Sequence, residues 1–205
     1  MKSYVLKKVN SPMTVVDERW ARVEAAELDF VWKDAFPSPY VTTAKAVHCE
    51  CGITVLLESN EWPLRVTHYV YGSEVCEDSC MEFFFIPNTT DHRYLNFEVN
   101  PAGNTHVRIG ESRHGRVPFD AFDMGARVET NITPYKGWRV KIFVPYTMLD
   151  ELYGKHDSTM RANFYKCGDL TERKHYSTWN PIEVDAPDYH RPEWFGELIL
   201  SEEAL

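Results

Sequence analysis

The chain has 205 residues, of which 43% are hydrophobic and 14% aromatic, and its formal net charge is −9. This apolar content is too high for a disordered chain, yet no stretch approaches the roughly 18 continuous apolar residues of a membrane helix. An acidic surface repels phosphate backbones and anionic lipids, so we expect no nucleic-acid partner and no membrane partner.

Strand-like runs separated by turn residues follow one another along the chain, and helical signals are few. The predicted strands are 3–9, 40–49, 53–58, 64–70, 80–86, 94–100, 106–109, 127–132, 138–144, 161–166 and 195–200, and the predicted helices are 17–28 and 146–153. This spacing is typical of a sandwich or barrel. We therefore predict one domain over residues 1–205, an all-β antiparallel β-sandwich of jelly-roll-like or immunoglobulin-like architecture with little helix.

The N-terminal segment and the cysteines indicate a cellular compartment. Residues 1–8 contain three lysines but lack the roughly 7–15-residue apolar core of a secretory signal. The five cysteines are an odd number, which fits a disulfide framework poorly. We expect a cytoplasmic protein with reduced, mostly buried thiols.

Two features raise the question of a metal, and neither is specific. His48, Cys49 and Cys51 are metal-ligating residue types, but a lone C-x-C without a second pair is more typical of small apolar residues on a strand. The acidic loops 58–61 and 183–185 could offer oxygen ligands to a structural calcium ion, without the spacing of an EF-hand. We predict no metal site and no cofactor, with structural calcium as the alternative.

The predicted hairpin of strands 80–86 and 94–100 has one unusually polar face. Because side chains alternate along a strand, one face of the second strand carries apolar residues and the other carries Tyr94, Asn96, Glu98 and Asn100. Sugars present hydroxyls that need paired donors and acceptors, and C–H faces that pack on aromatic rings. This face therefore indicates a sugar-binding surface.

Several motifs along the chain occur in a fixed order. They are Asp78-Ser79-Cys80-Met81-Glu82-Phe83-Phe84, Asn96-Phe97-Glu98-Val99-Asn100, Gly137-Trp138-Arg139-Val140, Asn163-Phe164-Tyr165-Lys166, Trp179 and the segment 192–198. In this order they resemble family 9 carbohydrate-binding modules, particularly the stand-alone family 9-like branch, over about residues 15–201. The resemblance implies a β-sandwich that binds mono- or oligosaccharides with aromatic platforms and a ring of polar residues.

The resemblance also implies roles for particular residues. Glu82 is similar to the family's strand carboxylate, Asn100 to its ligand-contacting asparagine and Trp179 to one of its two stacking tryptophans. Lys166 falls near a polar side chain that hydrogen-bonds the ligand.

Two departures from the family pattern affect this site. Glu98 stands where the family places a basic residue, and no tryptophan precedes Asp78. Tyr71 or Tyr176 is the candidate replacement for that missing stacking ring.

Each candidate also has a structural interpretation. Asp78 and Ser79 suit turn amides, which we favour over ligand contact. Glu82 suits one half of a core ion pair with Arg161 or Lys166, and Trp179 suits a packed loop anchor.

We predict a non-catalytic carbohydrate-binding protein for a glucose-, cellobiose- or xylose-type ligand. Its predicted site residues are Glu82, Asn96, Glu98, Asn100, Lys166, Tyr176 and Trp179. One alternative is a glycoside hydrolase that uses Glu82 and Glu98, because such enzymes need two neighbouring carboxylates. The other is an interaction domain whose sugar site has decayed.

Overall fold

Thirteen strands and one α-helix make up most of the computed structural model, which describes residues 1–205. The strands are β1 (Ser3–Lys8), β2 (Ala26–Glu27), β3 (Thr42–Cys49), β4 (Gly52–Ser59), β5 (Cys80–Ile86), β6 (Tyr94–Val99), β7 (Thr105–Gly110), β8 (Val117–Pro118), β9 (Arg127–Thr133), β10 (Gly137–Pro145), β11 (Thr159–Gly168), β12 (His175–Thr178) and β13 (Gly196–Ala204). The helix α1 is Tyr146–Tyr153, and short 3₁₀ turns occupy Glu18–Arg22, Val75–Glu77 and Pro192–Trp194.

All thirteen strands belong to one sheet. Its main path runs β8-β7-β6-β5-β11-β13-β1-β3-β4-β10-β9, with β12 beside β11 and β2 beside β3. Every neighbouring pair is antiparallel except those of β1, which lies parallel to both β13 and β3. The mostly-β prediction is confirmed, but the purely antiparallel arrangement is wrong at β1, because this N-terminal strand is inserted between two strands that run in its own direction. The sheet curls into a half-barrel around its core.

Two of the predicted elements have a different structure, and the short strands β8 and β12 were not predicted. Segment 64–70 forms no ladder, because its backbone N–H groups bond to side chains instead: Thr67 and His68 donate to Asp78, and Arg65 donates to Ser79. The predicted helix 17–28 is reduced to the 3₁₀ turn Glu18–Arg22 followed by β2, which pairs with β3. The predicted helix 146–153 is confirmed as α1. None of the helices has the length and apolar character that a membrane-spanning helix requires.

Strands β5, β6 and β11 present two different faces. On the core face, side chains such as Phe83, Phe97 and Phe164 enter a cluster of 31 buried residues that fills the interior of the curled sheet. On the opposite side, which we call the cavity face, Phe84 and Tyr165 belong to a separate cluster of 11 buried residues. Strand alternation therefore assigns every residue of these three strands to one face or the other.

Candidate functional site

A cavity of about 250 Å³ lies on the cavity face. Strands β5, β6, β7, β11 and β12 form its floor and walls, and the loops 111–116 and 179–191 complete its rim. The segment 179–196, which is rich in aromatic and polar residues, contributes Pro187, Tyr189 and His190. The cavity is thus the place where the polar face of the predicted hairpin meets two polar loops.

Two carboxylates face each other across the floor of this cavity. Glu82 on β5 pairs directly with Glu98 on β6, and their side chains are buried, at 3% and 5% exposure. The thiol of Cys167 donates to Glu82 Oε1 at 2.9 Å, and no lysine, arginine or histidine forms an ion pair with Glu82. Burial, and then the negative charge of Glu98, raise the pKa of Glu82 well above its usual range.

Glu98 has polar partners that Glu82 lacks. Asn96 Nδ2 donates to Glu98 Oε1 at 2.9 Å, and Arg116 Nη1 lies 3.7 Å from the same oxygen. Arg116 also donates to Asn96 Oδ1 at 2.8 Å, so Asn96 holds the carboxylate and the guanidinium together. Burial raises the pKa of Glu98, while the charge of Arg116 acts in the opposite direction. Asn96 itself does not line the cavity, and it positions two groups that do.

His106 forms a wall with a fixed orientation. Arg108 Nε lies 2.8 Å from His106 Nε2, and because a guanidinium only donates, Nε2 must accept. The ring proton therefore sits on Nδ1, which lies 3.0 Å from the carbonyl oxygen of Gly72 and 3.1 Å from that of Ser73. These contacts fix the orientation of the His106 ring beside Glu98, its cross-strand partner.

Tyr176 provides a half-buried aromatic ring at the cavity. It sits opposite Cys167 in the pairing of β12 with β11, and its hydroxyl donates to Asp169 Oδ1 at 2.7 Å. Its ring stands nearly perpendicular to Tyr189, with centroids 6.0 Å apart. Tyr176 thus lines the cavity, whereas Tyr71 lies outside it and donates to the carbonyl oxygen of Phe119.

The structure contradicts the predicted ligand contact of Lys166. Its neighbours Tyr165 and Cys167 point to the cavity face, so alternation sends Lys166 to the core face. There Lys166 Nζ lies 2.9 Å from Glu61 Oε2, and both side chains are fully buried. The core ion pair that the sequence suggested for Glu82 is therefore made by Glu61 instead.

Trp179 is also not a stacking platform in this structure. The side chain is 3% exposed and belongs to the core cluster, with its ring centroid 5.5 Å from Phe164 and 6.4 Å from Tyr4. Gly196 makes room for it, since a Cβ there would approach the indole to 2.7 Å. The packed-anchor interpretation is confirmed, and the stacking role is wrong because the indole faces the core.

Asn100 closes a turn, and its amide has no hydrogen-bonding capacity left for a ligand. Its Nδ2 donates to the carbonyl oxygen of His68 at 2.8 Å and to Asp78 Oδ2 at 3.0 Å. Its Oδ1 accepts from the backbone N–H groups of Ala102 and Asn104. The predicted ligand contact of Asn100 is therefore contradicted, while the structural role favoured for Asp78 is confirmed.

In the motif 48–51 and the acidic loop 58–61, groups that were candidate metal ligands are engaged by the protein itself. Both ring nitrogens of His48 are engaged, with the carbonyl oxygen of Ser201 at 2.8 Å and the hydroxyl of Tyr146 at 3.3 Å. In the acidic loop 58–61, Glu61 is committed to Lys166 and Glu58 to Arg139. These contacts leave the motif 48–51 and the loop 58–61 as structural segments.

Sequence reasoning missed six charged or histidine residues of the cavity, which are Glu74, His106, Arg113, Arg116, Asp169 and His190. The signal for His106 was present, because it lies on a predicted strand and alternates with Arg108. The side of the sheet on which His106 lies depends on the register of β6 with β7. The residue pattern of the predicted hairpin 80–100 does not define that register. Arg113 and Arg116 lie on the loop between β7 and β8, and the sequence of a loop has no periodic pattern that predicts where its side chains point.

The chain resembles known proteins over nearly its whole length. The model of the family described as carbohydrate-binding family 9 matches residues 14–200. A "putative carbohydrate-binding protein" of Bacteroides uniformis shares 28% identity and a TM-score of 0.83, with 98% of this chain and 99% of that chain covered.

Two structures of a family 9 module from Caldicellulosiruptor kristjanssonii share the fold. The complex with glucose is 15% identical with a TM-score of 0.68, covering 99% of this chain and 97% of that chain. The complex with cellotriose is 16% identical with the same TM-score, covering 100% and 95%. No curated protein matches the sequence.

Proposed function

The chain belongs to carbohydrate-binding family 9, and on this premise we propose that its cavity binds a mono- or oligosaccharide without cleaving it. The observation that carries the proposal is the cavity itself, where a tyrosine ring stands beside fixed donors and acceptors. At about 250 Å³ it falls just below the roughly 300 Å³ of the smallest drug-sized pockets, so it suits one or two sugar rings rather than a long chain.

The proposed contacts follow from the groups that line the cavity. Tyr176 supplies a ring face for the C–H side of a pyranose. Glu98 and Asp169 accept hydrogen bonds from hydroxyls, and charged acceptors make the stronger bonds. Arg116 donates to ring or hydroxyl oxygens, with Asn96 holding it in place. Glu82 forms the floor behind Glu98.

The charges of the cavity favour an uncharged sugar. The lining carries four carboxylates, on Glu74, Glu82, Glu98 and Asp169. It carries two guanidinium groups, and that of Arg113 is already paired with Asp188 at 2.7 Å. A uronic acid would place a further negative charge among these carboxylates, which repel it.

Titration calorimetry of the purified chain with glucose, cellobiose, cellotriose, xylobiose and glucuronate tests the proposal. We expect heat from at least one neutral sugar at millimolar concentration and none from glucuronate. Tyr176→Ala and Glu98→Gln should each weaken binding about tenfold or more, consistent with the loss of one stacking or charged contact. Tyr135→Ala is the matched control, because Tyr135 is 83% exposed and lies outside the cavity.

Two results would overturn this function. The absence of heat and of thermal stabilisation with every sugar would favour an interaction domain with a decayed site. Release of reducing ends from an oligosaccharide, abolished in Glu82→Gln, would favour the glycoside hydrolase that uses Glu82 and Glu98.

A further inference from the structure

A cluster of two thiols and a carboxylate, formed by Cys80, Glu82 and Cys167, lies at the floor of the cavity, where Glu82 and Cys167 are exposed to the cavity and Cys80 is not. Cys80 and Cys167 stand directly opposite each other in the pairing of β5 with β11. Glu82 follows Cys80 on the same face of β5, and all three side chains are buried. Two thiols and a carboxylate therefore converge from two adjacent strands.

The distances within this cluster suit a common ligand. Cys167 Sγ lies 2.9 Å from Glu82 Oε1, and Cys80 Sγ lies 4.0 Å from the same oxygen. One ligand atom from each residue lies within 4.8 Å of the other two. Ligand atoms bound about 2.0 to 2.3 Å from a tetrahedral metal ion are separated by distances in this range.

Glu82 also has no cationic partner in the protein. A carboxylate buried to 3% exposure normally meets a cation or several strong donors. Glu82 has no ion pair, and its hydrogen-bond donors are the two thiols, which are weak donors. A positive ion between the three side chains would satisfy all of them at once.

We propose that Cys80, Glu82 and Cys167 form a binding site for a soft divalent cation, with zinc as the metal that fits the donor set. Zinc accepts thiolate and carboxylate ligands in tetrahedral geometry, whereas calcium and magnesium prefer oxygen ligands in larger numbers. On binding, the two thiol protons and any proton held by Glu82 leave to solvent through the cavity, and two sulfur–metal bonds and one oxygen–metal bond form. Three protein ligands leave the fourth position facing the cavity.

The site goes beyond sugar binding, and its ligands differ from the side chains proposed to contact the sugar, while Glu82 and Cys167 also line the cavity. Glu98, Asp169 and Tyr176 reach the cavity from other positions and do not belong to the cluster. The metal would sit at the floor, below the proposed sugar contacts. Each of the two proposals can therefore fail without the other.

The test uses the full chain, stripped with a chelator and kept in a phosphine reductant so that Cys80 and Cys167 cannot form a disulfide. Zinc is titrated in competition with a chromophoric chelator. We expect one zinc ion per chain and a higher melting temperature. Cobalt as a probe should show a thiolate charge-transfer band together with the visible bands of a tetrahedral site.

Matched cysteine variants assign the ligands. Cys80→Ser and Cys167→Ser should each weaken zinc binding by about tenfold or more, judged against the 10- to 100-fold losses that even indirect partners of a metal site produce. Cys51→Ser is the control, since Cys51 pairs with Cys49 at another part of the fold. Unchanged melting temperatures in the presence of chelator show that the serine variants remain folded.

Specific outcomes would overturn the metal site. Zinc that fails to bind at one equivalent, cobalt spectra without a thiolate band, or an equal loss of binding in Cys51→Ser would each do so. Repeating the sugar titration in chelator separates the two proposals. Sugar heat without zinc binding removes only the metal site, and zinc binding without sugar heat removes only the sugar function.

Discussion

A buried charge on the core face of strands β5, β6 and β11 has an ion-pair partner, whereas one on the cavity face has none. On the core face, Lys166 and Glu61 form an ion pair at 2.9 Å with no exposed surface on either side chain. On the cavity face, Glu82 is almost as deeply buried but has no cationic partner. The first arrangement completes the fold, whereas the second leaves a carboxylate for a ligand.

The ion pair of Lys166 and Glu61 on the core face has all of its hydrogen-bonding groups engaged. The Lys166 ammonium has three donors, and they reach Glu61, the carbonyl oxygen of Cys167 at 2.7 Å and His175 Nε2 at 2.7 Å. Glu61 accepts two further bonds, from Ser79 Oγ at 2.9 Å and Trp138 Nε1 at 3.2 Å. Nothing in this network is free to contact a ligand, so its charge is structural.

The comparison shows what identifies a binding group among buried charges. Depth alone does not, because Lys166 is buried more completely than Glu82. The distinguishing property is an unfilled hydrogen-bonding or charge requirement beside an open space. The three predictions below compare the two faces by this property.

Replacement of Lys166 by methionine should have the largest effect. The change leaves Glu61 as an uncompensated buried charge, and breaking a buried pair from one side costs about 3 to 5 kcal/mol. Urea unfolding at neutral pH measures the loss. Lys7→Met is the matched control, because Lys7 pairs with Glu203 at 2.8 Å on the surface, where such pairs contribute about 0 to 1 kcal/mol.

A second variant separates charge from packing. Glu61→Gln combined with Lys166→Met removes both charges, so part of the lost stability should return. If Lys166→Met instead unfolds at the same urea concentration as the wild-type chain, Lys166 is not the structural cation described here.

The sequence predicted one face of this region much better than the other. The alternation of Asn96 and Glu98 could be followed because both lie on one strand of a single hairpin. Lys166 shares its face with Phe164, two residues earlier, but its partner Glu61 lies in a distant loop that carries no periodic signal. Trp179 lies beyond the end of β12, where alternation no longer assigns a face. Two of the misplaced residues, Asn100 and Trp179, therefore lie just outside regular strands, and the third, Lys166, lies on β11 but has its partner in a loop.

The pH dependence of stability should reveal one histidine on each face. Burial, and then the charge of Lys166, lower the pKa of His175 to about 3. The groups that face its ring are Lys166, Glu61, Tyr40, Thr171 and the carbonyl oxygen of Arg173. Because the unfolded chain has a histidine pKa near 6.5, the unfolded state binds more protons between about pH 3 and 6.5, and stability rises with pH through that window.

The pKa of His190 on the cavity face is also lowered, so its contribution to stability also rises with pH. Burial, and then the charges of Arg116 and Arg113, lower its pKa to about 3, against the opposing charge of Asp188. His175 should account for about 2 kcal/mol of stability lost between pH 7 and pH 5, and the less deeply buried His190 for somewhat less. Unfolding by urea at half-unit pH intervals checks this. A pH profile that does not become flatter in His175→Gln would contradict the assignment.

Replacement of Glu82 by glutamine should have the smallest effect on folding. Glutamine keeps the shape of the side chain and an oxygen that still accepts from Cys167, and no cation loses its partner. The free energy of unfolding, measured at neutral pH with chelator and reductant, should fall by no more than about 0.5 kcal/mol, because no ion pair is broken and the loss of a buried carboxyl with a raised pKa favours folding. The same variant should lose zinc affinity. A loss of about 3 kcal/mol or more in the metal-free chain would instead place Glu82 with Glu61 as a structural charge and remove the distinction between the two faces.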